Sequence, residues 1–103
     1  MSANNYSLDT TKKQRQFQVR HENNHLIVKM YNTDIVKVNK ETNRVTLNTN
    51  GFKTSTTKAA INNALKQLGS NLYVHQIKFQ WFVTRGHQTD IKIEFTDYMT
   101  LGL

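Results

Sequence analysis

Apolar residues recur at every second position along four short segments of the first half of the chain, which is the period of a strand with one buried face. These segments are residues 16–20, 26–31, 35–38 and 44–49. We therefore predict four consecutive strands. Their predicted inward residues are Phe17, Val19, Leu26, Val28, Met30, Val36, Val38, Val45 and Leu47.

Asparagine marks the ends of these strands, because Asn tolerates the positive φ that tight turns require. Asn23-Asn24 suits the centre of a turn within residues 21–25. Asn43 suits the left-handed position that closes a type I turn. The segment Asn32-Thr-Asp34 breaks the alternation between the second and third strands, and Asn50-Gly51 ends the fourth strand.

A helical spacing replaces the alternation after residue 55. Apolar residues then recur at intervals of three and four and form one stripe. The stripe consists of Ile61, Ala64, Leu65 and Leu68. Thr56 is the predicted N-cap, and Gly69 is suited to the position that ends the helix. A helix this short is marginal alone, so the stripe must pack on the sheet.

Alternation returns over residues 73–83, which we interpret as the longest strand, and over residues 91–95. The residues predicted to face inward are Tyr73, Ile77, Phe79, Trp81, Val83, Ile91, Ile93 and Phe95. Phe82 falls on the opposite parity, either as an exposed residue or beneath the C-terminal tail. That tail, residues 96–103, is apolar enough to cover a sheet edge or to meet a partner.

The predicted fold is therefore α+β: a single small domain with an antiparallel sheet of about six strands, one α-helix on one face, and the order β-β-β-β-α-β-β. We expect a flexible N-terminus over residues 1–11, the domain over 12–95 and the tail over 96–103. An antiparallel sheet can leave its second face open to solvent. By parity, that open face would carry Gln16, Gln18, Arg20, Lys29, Tyr31, Gln76, Lys78, Gln80 and Lys92.

Composition narrows the possible functions. The chain of 103 residues contains no cysteine, which excludes disulfides, thiolate zinc sites and a cysteine nucleophile. No apolar run has the length of a membrane span, so we expect a soluble, intracellular chain without a membrane partner. The formal net charge of +7 favours a polyanionic partner, although it also suits simple solubility.

Nucleic acid is the predicted partner, with RNA or single strands preferred over duplex DNA. Cations would hold phosphates, while an aromatic ring and amide groups would contact bases. The candidate residues are Lys12, Lys13, Arg15, Arg20, Lys29, Tyr31, Gln76, Lys78, Gln80 and Lys92. Thr56, Thr57 and Lys58 at the start of the helix could contact one phosphate, although ordinary capping explains the hydroxyls equally well.

Other chemistry finds little support in the sequence. His21 and His25 flank a predicted turn without a third ligand nearby, so we expect no metal and no cofactor. The seven acidic residues are scattered, and neither a nucleophile elbow nor a paired carboxylate motif is present. We therefore expect a protein that is not an enzyme. Asp34 is interpreted as capping the break after the second strand.

Several segments together resemble a family of small proteins encoded by tailed phages, including phages of marine bacteria. The matching segments are Asn32-Thr-Asp-Ile-Val36, Thr46-Leu-Asn-Thr-Asn-Gly-Phe52, Thr54-Ser-Thr-Thr-Lys58, Ile61-Asn-Asn-Ala64, and Val74, Gln76, Trp81 and Val83 at the family's spacing. Asn50 and Phe52 depart from the Gly and Trp of the family pattern. The resemblance implies a phage accessory factor in the cytoplasm of the infected bacterial host, and it carries over no catalytic or binding residue.

The preferred hypothesis is thus a phage-type accessory protein that binds nucleic acid without catalysis and modulates host or phage gene expression. One alternative is a module that inhibits or redirects a host protein through an edge strand or the tail. Another is a minor virion or assembly component. A homodimer through an edge strand or the C-terminal tail is also possible.

Overall fold

Turn asparagines and alternating apolar residues build most of the strands in the computed structural model, which describes residues 17–86 and 92–103. The elements of this part of the chain are β1 (Phe17–Glu22), β2 (His25–Met30), β3 (Thr33–Asn39), β4 (Arg44–Leu47), α1 (Ser55–Gln67), β5 (Leu72–Ile77), β6 (Gln80–Arg85), β7 (Lys92–Glu94) and β8 (Met99–Gly102). The predicted flexible segment 1–11 and Ile91 lie outside the described residues.

The strands form two antiparallel sheets around one hydrophobic core. One sheet has the order β1-β2-β3-β4-β8, and the other has the order β5-β6-β7. This arrangement confirms the α+β class, the helix after four strands and the antiparallel pairing. It differs from the prediction in two respects: the strands divide between two sheets, and residues 73–83 belong to two strands, β5 and β6, instead of one.

The predicted asparagine turns are confirmed. Asn23 and Asn24 both have positive φ, 50° and 62°, and join β1 to β2 through a two-residue turn. Asn43 has a φ of 57°, and its N–H donates to the carbonyl of Asn39 at 2.8 Å. The break after β2 is shorter than predicted: β3 already begins at Thr33, with an irregularity in the β2–β3 register opposite Ile35.

Helix α1 contacts β2 and β3 of the larger sheet and β5 of the smaller sheet. The predicted stripe is buried in full, together with Ala60. The N-cap is Thr54 rather than Thr56, since the Thr54 hydroxyl accepts the N–H of Thr57 at 3.2 Å. Gly69 follows the helix with a φ of 76°, as predicted.

A side chain of the helix also completes the edge of the smaller sheet. The Asn62 amide donates to the carbonyl of Val74 at 2.8 Å and accepts the Val74 N–H at 2.7 Å. Val74 lies on β5, which is an edge strand. The amide therefore supplies the two bonds that a neighbouring strand would otherwise supply.

The tail covers a sheet edge, which was one of its two predicted roles. Strand β8 pairs antiparallel with β4, placing Leu101 opposite Val45 and Met99 opposite Leu47. Met99 and Leu101 are partly buried against the core. Met99 and Leu101 thus extend the core, whereas Tyr98 of the same tail is 70% exposed.

Hydrogen bonds to the Asp97 carboxylate connect the loop after β4 to the start of this tail. Its carboxylate accepts the N–H and the hydroxyl of Thr49, both at 2.8 Å, and the N–H of Gly51 at 3.1 Å. Desolvation alone would raise the pKa of Asp97. The hydrogen bonds from Thr49 and Gly51, with the charge of Lys53, outweigh it and lower the pKa below its ordinary value.

Three residues predicted to face inward are exposed instead: Ile77 by 41%, Phe79 by 95% and Ile93 by 50%. The chain reverses at Lys78-Phe79, and this two-residue turn sets Ile77 opposite Gln80. Odd-numbered positions of β5 therefore share a face with even-numbered positions of β6. Trp81 and Val83 are buried as predicted, but their partners across the sheet are Gln76 and Val74.

Candidate nucleic-acid interface

The outer face of the larger sheet holds part of the predicted cationic surface, but acids neutralise its best candidate. The Arg20 guanidinium donates to both oxygens of Asp34, at 3.2 and 3.1 Å, and to Glu22 at 3.1 Å. Hydrogen bonding to Asp34, ahead of that to Glu22, raises the pKa of Arg20 further above its ordinary value. The Asp34 carboxylate therefore accepts its hydrogen bonds from a guanidinium across the sheet. The predicted donors were instead the N–H groups at the break after β2.

The remaining candidates in this part of the chain are spread out. Lys29 is half-buried and lies in register with Asp34. Tyr31 is 62% exposed in the turn after β2, with a φ of 55°. Lys12, Lys13, Arg15 and Gln16 lie outside the described residues. The larger sheet therefore presents Lys29 beside the carboxylate of Asp34, and its described residues form no uninterrupted cationic stripe.

A long segment of the chain contains basic residues but no acidic ones, and the fold shows which elements this segment builds. Between Glu41 and Asp90 the chain contains no acidic residue at all. The same stretch carries Arg44, Lys53, Lys58, Lys66, Lys78 and Arg85. This stretch builds β4 as well as α1, β5 and β6. We call α1, β5 and β6, which contain no acidic residue, the basic half of the described molecule, whereas β7, the third strand of the smaller sheet, carries Glu94.

The outer face of the smaller sheet carries a row of rings. The ring centroids of Tyr73 and His75 lie 5.4 Å apart, and those of His75 and Phe82 lie 5.9 Å apart. The Lys92 ammonium lies 5.7 Å from the centre of the Phe82 ring. We call this set, Tyr73, His75, Phe82 and Lys92, the aromatic face. Phe82 is half-buried on this face, and Tyr73, which was predicted to face inward, lies on it as well.

Two further contacts define the chemistry of the aromatic face. The Nε2 atom of His75 lies 2.6 Å from the hydroxyl of buried Thr84, which fixes the imidazole between its two aromatic neighbours. Glu94 lies in register with Phe82, so the face also carries one carboxylate close to Lys92. Half-exposed rings beside an ammonium are the groups on which unpaired bases stack.

The predicted glutamines divide between the two faces of the smaller sheet. Gln80 lies opposite Ile77 at the end of the hairpin, whereas Gln76 lies opposite buried Trp81. The Lys58 ammonium donates to the Gln76 side chain at 3.4 Å and lies 6.0 Å from the Trp81 ring. Gln76 and Gln80 therefore lie on opposite faces of the smaller sheet, and not on one shared surface as predicted.

The predicted phosphate contact at the helix start is reduced to two residues. Thr57 is 1% exposed, and its hydroxyl lies 3.0 Å from that of the N-cap Thr54. Thr56 is exposed, and Lys58 is half-buried. Thr57 thus serves the helix cap, while Thr56 and Lys58 remain accessible.

The tip of the β5–β6 hairpin is a feature that the sequence pattern did not predict. Lys78 and Phe79 form the turn, and the Phe79 ring is almost completely exposed. Phe79 had been assigned to the core because it shares parity with Trp81. A turn residue such as Asn or Gly would have signalled the reversal, but neither is present at the tip.

Other kinds of site are not found in the described part of the chain. Residues 17–86 and 92–103 contain no group of three or more His, Cys, Asp or Glu side chains placed to hold a metal ion. The same residues include no helix with the length and apolar character needed to cross a membrane.

A family model matches residues 2–102 of the chain, and its description is Kyanoviridae Gp96 protein. The match extends well beyond the segments that carried the resemblance in the sequence. No curated protein and no solved structure matches the chain.

Proposed function

The chain belongs to the Kyanoviridae Gp96 protein family, a family of phage proteins, and we propose that it binds single-stranded nucleic acid, RNA in particular, without catalysis in the cytoplasm of the infected bacterial host. Through this binding it modulates host or phage gene expression. The aromatic face is the proposed contact surface, and the basic half of the molecule is the proposed source of phosphate attraction.

The observation that carries the proposal is the aromatic face, whose rings lie on β5 and β6, two strands without an acidic residue. Tyr73, His75 and Phe82 offer rings, and Lys92 lies above the last of them. Stacking of a base on an aromatic side chain contributes about 1–3 kcal/mol per base. Stacking is possible only for unpaired bases, whereas the phosphates of any nucleic acid attract cations. Rings and cations together therefore favour a single strand over a duplex.

The proposal places the interface on the smaller sheet rather than on the larger one. The Arg20 guanidinium already has two carboxylate partners, and it would have to leave them to bind a phosphate. Lys92 and Lys78 have no ion-pair partner among the described residues. Lys29, Tyr31 and the cations before residue 17 remain predicted contacts.

The test compares two lysines that carry the same charge on different sheets. Binding of a labelled short oligouridylate is followed by fluorescence anisotropy over a range of salt concentrations. Lys92→Gln should weaken binding and lower the slope of log affinity against log salt by about one. Lys37→Gln, on the outer face of the larger sheet, should change the affinity much less. Glu94→Gln should strengthen binding, because it removes the carboxylate beside Lys92.

Two results would reject this proposal. Absence of binding to RNA and to single-stranded DNA at low salt would remove it entirely. An equal loss for Lys37→Gln and Lys92→Gln would show general charge attraction without a defined aromatic face. Duplex RNA of the same length is the control ligand, and we expect it to bind more weakly than the single strand.

A module that binds a host protein is the second candidate, and the edge strand β7 favours it. Its three residues are exposed, and they include Ile93. An exposed edge can accept a strand from a partner or from a second copy of the chain. A stoichiometric host protein that stays bound to the tagged chain after nuclease treatment, and is lost on Ile93→Lys, would support this candidate. Sedimentation of the purified chain tests the homodimer.

A further inference from the structure

Phe79 has no structural role that explains its position. Its side chain is 95% exposed at the tip of the β5–β6 hairpin, farther into solvent than any other large apolar residue of the described chain. The neighbouring Ile77 is also exposed, although β5 is buried at Leu72 and Val74. The apolar residues of the hairpin thus continue beyond the core and end in a bare aromatic ring.

The backbone beneath this ring is unfavourable for the residues that occupy it. Lys78 has a φ of 49° and Phe79 a φ of 69°. A two-residue hairpin turn with both φ values positive is normally formed by Asn-Gly or Asp-Gly, because the left-handed region is costly for bulky side chains. The two-residue turn between β1 and β2 uses Asn23-Asn24, whereas the one between β2 and β3 also places a bulky residue, Tyr31, at a positive φ of 55°. A strained conformation at an exposed aromatic residue is typical of a functional position.

The charge around the tip indicates the chemistry of what it meets. Lys78 lies in the turn itself, Gln80 is exposed after it, and Lys58 bonds to Gln76 near the same end of β5. No acidic residue occurs in the sequence from position 42 to 89. A flat apolar ring beside cations and amides suits a partner that combines flat rings with negative charge, and the unpaired nucleotide is such a partner.

We propose that Phe79 stacks on one unpaired nucleobase while Lys78 contacts the adjacent phosphate, so that the hairpin tip is a stacking site of its own beyond the aromatic face. This inference rests on the proposed function, because it specifies a second contact with the same single strand. A protein pocket is the competing occupant. It would require apolar contact from Phe79, but neither a π-face nor a nearby phosphate.

The experiment measures the affinity of Phe79 variants for an oligouridylate and for an abasic strand of the same length. Phe79→Ala should weaken binding to the oligouridylate about tenfold and leave binding to the abasic strand unchanged. Phe79→Leu keeps an apolar side chain without a ring, and it should lose as much as Ala. Phe79→Trp should retain the affinity, and its fluorescence should be quenched on binding. Phe52→Ala is the control, since Phe52 is another exposed aromatic ring, 63% accessible, in the loop after β4.

The outcomes separate this inference from the proposed function. If the wild type and Lys92→Gln behave as proposed but Phe79→Ala binds like the wild type, the stacking site is refuted and the aromatic face stands. If Phe79→Leu restores the affinity, apolar contact rather than stacking explains the tip, and the inference fails. If Phe79→Ala abolishes a nuclease-resistant complex with a host protein but leaves RNA affinity intact, the occupant is a protein and the inference is likewise overturned. Each variant should unfold at the wild-type temperature, because the Phe79 ring buries almost no surface.

Discussion

Replacing Lys78-Phe79 by Asn-Gly should stabilise the fold and weaken the binding of a single strand. A non-glycine residue in the left-handed region costs roughly 1–2 kcal/mol, and both residues of this turn are in that region. Phe79→Gly removes this cost at one position, and Lys78→Asn reduces it at the other. Since the Phe79 ring is exposed, its loss removes almost no buried apolar surface.

The gain is partly offset by the freedom of glycine in the unfolded chain. This entropic term costs about 0.5–1 kcal/mol. The net increase in the free energy of unfolding should therefore be about 1 kcal/mol, which corresponds to a rise of ~4–8 °C in the Tm of a domain of this size. Binding to the oligouridylate should fall at least as far as for Phe79→Ala, because the double variant lacks both the ring and the ammonium.

Urea unfolding followed by tryptophan fluorescence measures this difference directly. Trp81 is the single tryptophan of the chain and is buried against Phe95, so its emission reports on the core beneath the hairpin. The midpoint should rise at constant slope. Asn23→Gly is the matched control in the β1–β2 turn, where Asn23 has a φ of 50°. It should change stability by only a few tenths of a kcal/mol, because Asn already tolerates positive φ. A double variant that is no more stable than the wild type would refute the claim that the tip is strained.

Three further changes test the contacts that hold the fold. Asn62→Ala should lower the free energy of unfolding by about 1–3 kcal/mol in urea titrations, because both backbone groups of Val74 lose their partner; an unchanged midpoint would mean that water replaces the amide. For Asp97, the lowered pKa stabilises the folded chain at pH values above the unfolded-state pKa of about 3.9, and this stabilisation is lost as the pH falls through the folded-state pKa. The stability gap between wild type and Asp97→Asn should therefore narrow from pH 7 to pH 3, whereas a constant gap would contradict this assignment. Leu65→Ala, at a fully buried position, should cost about 2–5 kcal/mol by thermal unfolding, and a smaller loss would mean that the core collapses around the cavity.

The first four strands and the helix could be predicted because local chemistry marks their ends. Asn23, Asn24 and Asn43 occupy positive-φ positions, and Gly69 ends the helix. Each marker needs information only from its own turn. The N-cap was misplaced within a run of four hydroxyl residues, since each of them can accept an N–H two or three residues ahead and so start the helix.

The β5–β6 hairpin could not be predicted, because its turn has no local marker. The alternation of Ile77, Phe79, Trp81 and Val83 continues through the reversal as if the strand were unbroken. Pairing between β5 and β6, together with packing on α1, forces Lys78 and Phe79 into a conformation that they disfavour on their own. Tertiary contacts override propensity here, so parity assigned the wrong face to Ile77 and Phe79.

The candidate interface was predicted on the larger sheet for a related reason. The ion-pair partner of a charged residue can lie far from it in the sequence. Arg20 and Asp34 lie on β1 and β3 and meet across β2, in a register that depends on the irregularity beside Val28. From the sequence, Arg20 was therefore predicted to be a cation without an acidic partner. The absence of acids from residues 42 to 89 was visible in the sequence, but its meaning depends on knowing that this stretch builds one half of the molecule.

The fold accommodates the backbone strain at the hairpin tip because other contacts stabilise the rest of the hairpin. On one side, the Asn62 amide binds the β5 backbone at Val74; in the body of the hairpin, Trp81 and Val83 are buried against the core. These contacts outweigh the cost of two left-handed residues, and they confine that cost to two exposed positions. Substitutions at the tip should therefore alter binding without weakening the core. Substitutions at Asn62 should weaken the hairpin as a whole and reduce binding only as far as they reduce the folded population. This difference separates a recognition residue from a supporting residue.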